Sequence, residues 1–213
     1  MNVLVTGFDP FDGATVNPAY EAVKRLPDEI AGAKVIKLEV PTVFKESSSR
    51  LKAALKLHKP DIVICVGQAG GRSAISLEQV AINLAEARIP DNQGNQPSGE
   101  RLEEDGDTAY FTTLPIKAMM KNVQDHGLPA TISYTAGTFV CNEIMYRLLY
   151  MIDKEDLNIK GGFIHVPFEP SQVIERPTIS SMPILTIANS LLYAIEAAVT
   201  TEIDSKINTG TTH

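Results

Sequence analysis

Residues 61–72 have the sequence DIVICVGQAGGR, in which an uninterrupted apolar run ends in a glycine-rich turn. An apolar run of this length, preceded by Pro60, is typical of a central strand that is buried on both faces. Residues 2–6 form a second such run, which Gly7 ends. Strands buried on both faces need a layer of helices on each side, so the sequence predicts an α/β fold.

Helical patterns occur between these strands. Asn17 is placed to cap a helix in which Pro18 takes the first position, and residues 44–58 carry apolar side chains at helical spacing. A further strand is predicted over residues 33–40, before Pro41. The first half of the chain is therefore predicted to alternate strand, helix, strand, helix, strand.

The alternation continues in the second half, where helices are predicted over 115–125, 140–152 and 182–201 and strands over 130–134 and 162–166. Residues 77–85 fit a helix or a strand equally well, and residues 88–101, rich in Pro, Gly, Asn and Asp, favour an ordered loop or a small hairpin. We predict a single-domain three-layer α/β/α sandwich over residues 1–205, with a mostly parallel or mixed central sheet. The polar tail, residues 206–213, is predicted to be disordered.

Composition excludes several classes of partner. The 213 residues carry a net charge of -7 without a Lys/Arg cluster, which argues against nucleic-acid binding. No apolar run approaches the roughly 20 residues that cross a bilayer, so we expect no membrane insertion. The N-terminal segment lacks the pattern of a signal peptide, and we expect a cytoplasmic protein. In a reducing compartment, Cys65 and Cys141 are expected to be free thiols.

Two residues stand out as candidates for chemistry. Cys141 follows a predicted strand and a turn of small residues, so its sulfur should lie at a helix N-terminus, where a thiolate is favoured. His165 ends an apolar strand, and the carboxyl ends of such strands form the crevice in which α/β proteins bind ligands. A thiol and an imidazole brought together there match a nucleophile and its base. The alternative for each residue is core packing, which is the stronger interpretation for Cys65 inside its strand.

The glycine-rich turn of residues 67–72 invites comparison with phosphate-binding loops. The spacing of its glycines matches neither the dinucleotide fingerprint nor the lysine-bearing phosphate loop. The turn therefore gives little support for nucleotide binding. The cysteines and histidines show no paired spacing for a metal. We expect neither a cofactor nor a metal.

Five motifs in order closely resemble the pyroglutamyl peptidase type I family, also called pyrrolidone carboxyl peptidases: GFDPF (7–11), GQAGGR (67–72), ARIPDN (87–92), GTFVCN (137–142) and FIHVP (163–167). The resemblance extends from residue 1 to about residue 195. It implies an α/β/α fold and a cysteine peptidase, of the omega or aminopeptidase type, that acts through a thioester acyl-enzyme on peptides with an N-terminal pyroglutamyl residue. It also implies a homo-oligomer, commonly a tetramer.

The resemblance implies a triad of Cys141, His165 and Glu78. By sequence alone Glu78 is an ordinary carboxylate, and Glu86 would serve as well. Family members often have proline before the glutamate where this chain has Leu77, a change with no evident effect on the carboxylate. The resemblance also implies residues that line a pocket for the lactam ring: Phe8, Phe11, Asn17, Thr42, Gln68, Ile89, Phe139 and Val140. Arg88 is expected to help stabilise the oxyanion, together with backbone N–H groups.

Two other functions are compatible with parts of this pattern. A purine-nucleoside phosphorylase-like enzyme could use a similar sandwich and the glycine turn, but it would not need Cys141 and His165. A non-catalytic protein that binds a small cyclic amide would keep the phenylalanines and tolerate loss of the thiol. A phosphorolysis assay distinguishes the phosphorylase-like enzyme from the peptidase. Thiol alkylation distinguishes the non-catalytic binding protein from it.

Overall fold

The computed structural model of the protein describes residues 1–210. Its strands, in chain order, are β1 Asn2–Phe8, β2 Glu29–Ile30, β3 Ala33–Val40, β4 Ile62–Gln68, β5 Ile75–Glu78, β6 Val80–Ile82, β7 Ala85–Glu86, β8 Ser98–Glu100, β9 Ala109–Phe111, β10 Ala130–Ser133 and β11 Lys160–Val166. Its helices are α1 Pro18–Val23, α2 Glu46–His58, α3 Ile116–Asp125, α4 Val140–Lys154 and α5 Ile184–Thr200, with a short 3₁₀ helix at Pro170–Val173. The predicted alternation of strands and helices is confirmed.

The central sheet has seven strands in the order β10-β5-β11-β4-β1-β3-β2. Strands β3, β1, β4 and β11 run parallel, and β10 runs parallel to β5. The sheet is nevertheless mixed, because β5 pairs antiparallel with β11 and β2 pairs antiparallel with β3. The prediction of a mostly parallel, mixed sheet is therefore confirmed.

Side chains of each central strand alternate between two hydrophobic cores, as the two-residue period of a strand requires. On β4, Ile62 and Ile64 contribute to one core, whereas Val63 and Cys65 contribute to the other. Helices α1, α3 and α5 pack together over the first core, and α2 and α4 pack over the second. These are the three layers of the predicted sandwich.

The two ambiguous segments of the sequence form short strands. Residues 77–85 span parts of three short strands, β5, β6 and β7, with breaks at Gln79 and at residues 83–84, so the strand alternative is the correct one. The predicted small hairpin is present, since Ala85 and Glu86 pair antiparallel with residues 98–100 around the intervening loop. The strand over Ala109–Phe111, which pairs with β6, was not predicted.

The chain beyond α5 contains no helix or strand in residues 201–210. Asp204 nevertheless accepts hydrogen bonds from the backbone N–H groups of Lys117 and Ala118, and the Tyr134 hydroxyl donates to the Thr209 carbonyl. The predicted disordered tail covers 206–213, of which 211–213 lie outside the described residues. The domain boundary after residue 205 stays a prediction.

Candidate active site

The candidate site lies where the carboxyl ends of the parallel strands meet the N-terminus of α4. Cys141 is the second residue of that helix, after Phe139 at its N-cap. His165 lies opposite Gly67 in the register of β11 and β4, one residue before the end of each strand. The structure therefore brings the predicted thiol and imidazole to the same small pocket, whose lining includes both.

Glu78 reaches the site from the neighbouring strand. In the antiparallel pairing of β5 with β11 it lies opposite Phe163, two residues from His165, so both side chains project from the same face of the sheet. His165 Nδ1 is 2.7 Å from Glu78 Oε1, and both side chains are buried. A carboxylate only accepts hydrogen bonds, so Nδ1 is the protonated nitrogen and Nε2 is left free to take a proton.

The alternative carboxylate, Glu86, has a different environment. Its residue is exposed on β7, where its backbone N–H and carbonyl bond to Thr138. Glu78, in contrast, is fully buried and touches the imidazole directly. The geometry therefore favours Glu78 as the partner of the histidine.

Arg72 is a further member of the cluster that sequence reasoning did not assign. Its Nη1 donates a hydrogen bond to Glu78 Oε1 at 2.7 Å, and its side chain is 29% exposed. The same carboxylate oxygen thus accepts from both Arg72 and His165. The only signal in the sequence was the position of Arg72 at the end of the glycine-rich turn, which says nothing about a buried carboxylate.

The glycine turn has a packing role at the nucleophile. A Cβ atom added at Gly67 would lie 2.8 Å from the Cys141 sulfur and 2.6 Å from the Phe163 ring. Separations this short do not occur between packed side-chain atoms, so only glycine lets the sulfur approach the end of β4 this closely. The requirement for glycine here comes from the Phe163 ring and the Cys141 thiol, whereas the first analogy suggested by the motif was a phosphate-binding loop.

Burial governs the protonation of the nucleophile. Burial, followed by the charge of Glu78, raises the pKa of the Cys141 thiol to about 12, although the positive charge of Arg72 opposes this. Burial also lowers the pKa of His165, against the opposing effect of Glu78. Burial of the sulfur thus opposes the thiolate that the helix N-terminus favours. The direction of both shifts favours a neutral thiol and a neutral imidazole as the resting pair.

Glu78 itself remains ionised. Burial alone would raise the pKa of this carboxyl, but the hydrogen bond of His165, the charge of its protonated form, the Ser133 side chain and the charge of Arg72 together bring the pKa below its ordinary value. A charged, buried carboxylate next to the imidazole stabilises the imidazolium that forms when His165 takes a proton. Cys65 differs from Cys141 in its exposure, because it is fully buried in the core; burial raises the pKa of its thiol to about 12 as well.

The pocket in front of Cys141 has a volume of ≈ 140 Å³ and an aromatic wall. The Phe11 and Phe139 rings lie 6.2 Å apart, and Phe8 is buried behind them against Phe163 at 6.5 Å. Eight of the residues predicted from the sequence line this pocket: Phe8, Phe11, Asn17, Thr42, Gln68, Phe139, Cys141 and His165.

Three predicted residues lie elsewhere. Val140 is fully buried in the core under α4, where its side chain does not line the pocket. Ile89 and Arg88 line a wider neighbouring cleft. The oxyanion role of Arg88 stays a prediction that the lining of the small pocket does not support.

Two polar residues of the pocket have their hydrogen bonds fixed by the fold. Asn17 accepts from the Ala19 N–H as the cap of α1, and its amide donates to the Asp9 carbonyl. The Thr42 hydroxyl donates to the same Asp9 carbonyl at 3.1 Å. Gln68 Oε1 accepts from Gln172, which leaves the Gln68 amide N–H₂ as a polar donor at the pocket.

Within residues 1–210, no cluster of three or more His, Cys, Asp or Glu side chains is arranged to hold a metal ion. Over the same range, none of the helices combines the length and apolar character of a membrane span.

Comparison with known proteins points to one family. A family model described as pyroglutamyl peptidase matches residues 1–201. The pyrrolidone-carboxylate peptidase of Enterococcus faecalis is 63% identical over 213 residues, which cover 100% of both chains. That of Clostridium botulinum is 56% identical over 210 residues and 99% of each chain. The crystal structure of pyroglutamyl peptidase I from Bacillus amyloliquefaciens superposes with a TM-score of 0.95 at 48% identity, covering 97% of this chain and 99% of the other.

Proposed function

The chain belongs to the pyroglutamyl peptidase family, and on that premise we propose that Cys141, His165 and Glu78 carry out its reaction. The protein is a cysteine peptidase that removes N-terminal pyroglutamate from peptides. The observation that best supports the proposed residues is the 2.7 Å contact between His165 Nδ1 and Glu78 Oε1, in a pocket that His165 shares with Cys141. Neither a purine-nucleoside phosphorylase-like enzyme nor a non-catalytic binding protein requires a thiol, an imidazole and a carboxylate in this arrangement.

The proposed reaction begins from the neutral pair. His165 Nε2 takes the proton of the Cys141 thiol as the sulfur attacks the carbonyl carbon outside the lactam ring. Glu78 holds the Nδ1 tautomer and stabilises the imidazolium that results. His165 then donates its proton to the leaving amine, and a thioester to Cys141 remains. Water, deprotonated by His165, attacks the thioester and releases pyroglutamate.

Backbone N–H groups supply the proposed oxyanion site. The first N–H groups of a helix have no intrahelical acceptor, and Cys141 lies in the first turn of α4. In the proposed reaction these groups and the positive end of the helix dipole stabilise the negative charge that develops on the carbonyl oxygen beside Cys141. We place Arg88 in a supporting role only, because its side chain lines the neighbouring cleft.

Specificity for the lactam follows from the charge of the pocket. Among the described residues, those that line the ≈ 140 Å³ pocket include no aspartate or glutamate. An ordinary N-terminal ammonium would lose its hydration there without compensation, whereas the pyroglutamyl nitrogen is part of a neutral amide. We assign the Gln68 amide N–H₂, whose oxygen is already bonded to Gln172, as the donor to the ring carbonyl, which prolyl substrates lack.

The test compares kcat/KM for pyroglutamyl, prolyl and glutaminyl amides that carry one common leaving group. We expect the pyroglutamyl substrate to exceed the other two by orders of magnitude. Hydrolysis of either competitor within about tenfold, or about 1.4 kcal/mol of discrimination, would rule out this account of the pocket.

We further propose that the protein works in the cytoplasm as a homo-oligomer, for which the family suggests a tetramer. The proposed nucleophile must be a free thiol, which a reducing compartment maintains. Large apolar side chains on the surface, including Ile174 at 77% and Leu185 at 68% exposure, would be suited to contacts between subunits. Light scattering tests the oligomeric state directly, and a monomer at all concentrations would contradict it.

A further inference from the structure

A wider cleft, of ≈ 680 Å³, adjoins the ≈ 140 Å³ pocket, and Phe11 and Gln68 line both. The smaller space suits one lactam ring, so the remainder of the peptide must leave it. On the proposed function, the residues that follow the scissile bond therefore lie in the cleft. Its lining determines which of these residues are favoured.

Arg176 is held in place on one wall of this cleft. Its guanidinium lies 5.0 Å from the centre of the Phe168 ring, and its Nη2 donates to the Gln172 carbonyl at 2.8 Å. A guanidinium has five N–H donors, and within residues 1–210 no carboxylate pairs with this one. Most of its donors are therefore available to a ligand.

The wall that carries Arg176 is braced against the catalytic pocket. The Gln172 amide donates to Gln68 Oε1 at 2.8 Å and to the Val16 carbonyl at 3.3 Å. The Phe168 ring covers Gly70, where an added Cβ would lie 2.1 Å from a ring atom. These contacts fix the position of Arg176 relative to the residues that hold the lactam.

The charge of the cleft is opposite to that of the whole protein. Arg88 and Arg176 both line it, and Asp12, an exposed residue, is the only carboxylate among its described lining residues. The chain as a whole has a net charge of -7. A local excess of arginine in an acidic protein favours an anionic ligand at that place, and guanidinium groups suit carboxylates geometrically.

We propose that this cleft binds the leaving segment of the peptide and prefers a carboxylate within the first two residues after the scissile bond. Arg176 is the residue that determines this preference. The carboxylate is supplied by an aspartate or glutamate side chain, or by the C-terminus of a short peptide. The proposal rests on the proposed function, since it assumes that the lactam occupies the small pocket.

The expected preference is modest because Arg176 is exposed to solvent. An ion pair at such a site changes binding by up to about fivefold at low ionic strength, and salt screens it. Lysine at the same substrate positions should be disfavoured by a comparable factor.

The experiment measures kcat/KM on pyroglutamyl tripeptide amides with Glu, Gln or Lys at the first or second position after the scissile bond. A pyroglutamyl dipeptide with a free or amidated C-terminus distinguishes a terminal carboxylate from a side chain. For the unaltered protein we expect Glu to exceed Gln, and Gln to exceed Lys. In Arg176→Gln the ratio of kcat/KM for the Glu substrate to that for the Gln substrate should fall toward one. Arg176→Lys should keep part of the preference for Glu.

A small chromogenic pyroglutamyl amide separates this proposal from the proposed function. The unaltered protein should hydrolyse this substrate whether or not the cleft prefers a carboxylate, because its leaving group carries none. If the unaltered protein does not hydrolyse the chromogenic amide, the proposed function itself is contradicted. A Glu/Gln ratio that survives Arg176→Gln, or that does not fall in about 0.5 M salt in the unaltered protein, would overturn the assignment of the cleft.

Discussion

Arg72 Nη1 and Glu78 Oε1 form a 2.7 Å ion pair directly behind His165, on the oxygen that also accepts from the imidazole. Arg72 is not among the residues that line the small pocket, and it contacts the catalytic pair only through Glu78. Its charge helps to keep the buried carboxylate ionised and lowers the pKa of His165. It is best described as a positioning residue.

We predict that Arg72→Met lowers kcat by about tenfold, the value of one hydrogen bond to a charged group at a partly exposed site. Loss of the positive charge should also raise the pKa of His165, so the acid limb of kcat/KM moves to higher pH. Arg72→Lys should restore part of both effects. A folded Arg72→Met enzyme with unchanged kcat and an unchanged acid limb would show that the ion pair is only structural.

The charge of Glu78 can be tested with little change of shape. In Glu78→Gln the amide oxygen can keep the bonds from Arg72 and His165, while the N–H₂ takes the place of Oε2, which has no hydrogen-bond partner among the described residues. We expect kcat to fall by about 10²- to 10⁴-fold without loss of the folded state. Glu86→Gln is the matched control and should be unaffected. Equal losses in the two variants, or none in Glu78→Gln, would point to a dyad or to another carboxylate.

The neutral resting pair predicts a distinctive pH profile. Burial lowers the pKa of His165 below 6.5, so the imidazole stays neutral, and active as a base, until the pH falls below that value. The acid limb of kcat/KM should therefore have its midpoint below 6.5. The Cys141 thiol has a pKa of about 12, so no loss of activity is expected up to a pH of about 9.

A thiolate–imidazolium pair would give a different profile. Activity would then decline at alkaline pH as the imidazolium loses its proton, because that proton is needed by the leaving amine. Measurement of kcat/KM from about pH 4.5 to 9.5, with recovery at neutral pH checked after each incubation, distinguishes the two states. An alkaline limb with a midpoint near 8 would contradict the neutral pair.

Much of the fold could be predicted from the sequence because its central strands and helices have strong local signals. The apolar runs of β1 and β4 and the Asn17–Pro18 start of α1 each identify their element without tertiary information. The strands over Glu29–Ile30 and Ala109–Phe111 are too short for any periodicity to appear. They exist because neighbouring strands are present to pair with them.

The site was predictable in part for a similar reason. Cys141 and His165 lie at element ends, which the sequence marks with a turn of small residues and with the end of an apolar run. Glu78 is catalytic in this account because it is buried beside His165, and burial of a carboxylate depends on contacts distant in sequence. Arg72 was missed on the same grounds. Local sequence indicates the helix N-terminus at Cys141 but not the burial that raises the pKa of its thiol.

Selective alkylation is the sharpest test of the proposal that one thiol, Cys141, performs the reaction. Cys141 is partly exposed at the pocket whereas Cys65 is fully buried, so iodoacetamide should modify Cys141 alone in the folded protein. Hydrolysis of a chromogenic pyroglutamyl amide is measured during the modification, with the site and number of adducts determined by mass spectrometry. We predict that activity falls in proportion to a single adduct on Cys141, that Cys65→Ser behaves like the unaltered protein, and that Cys141→Ser has lost about 10³-fold or more of its activity. Full turnover by protein alkylated at Cys141, or by Cys141→Ser, would contradict the account.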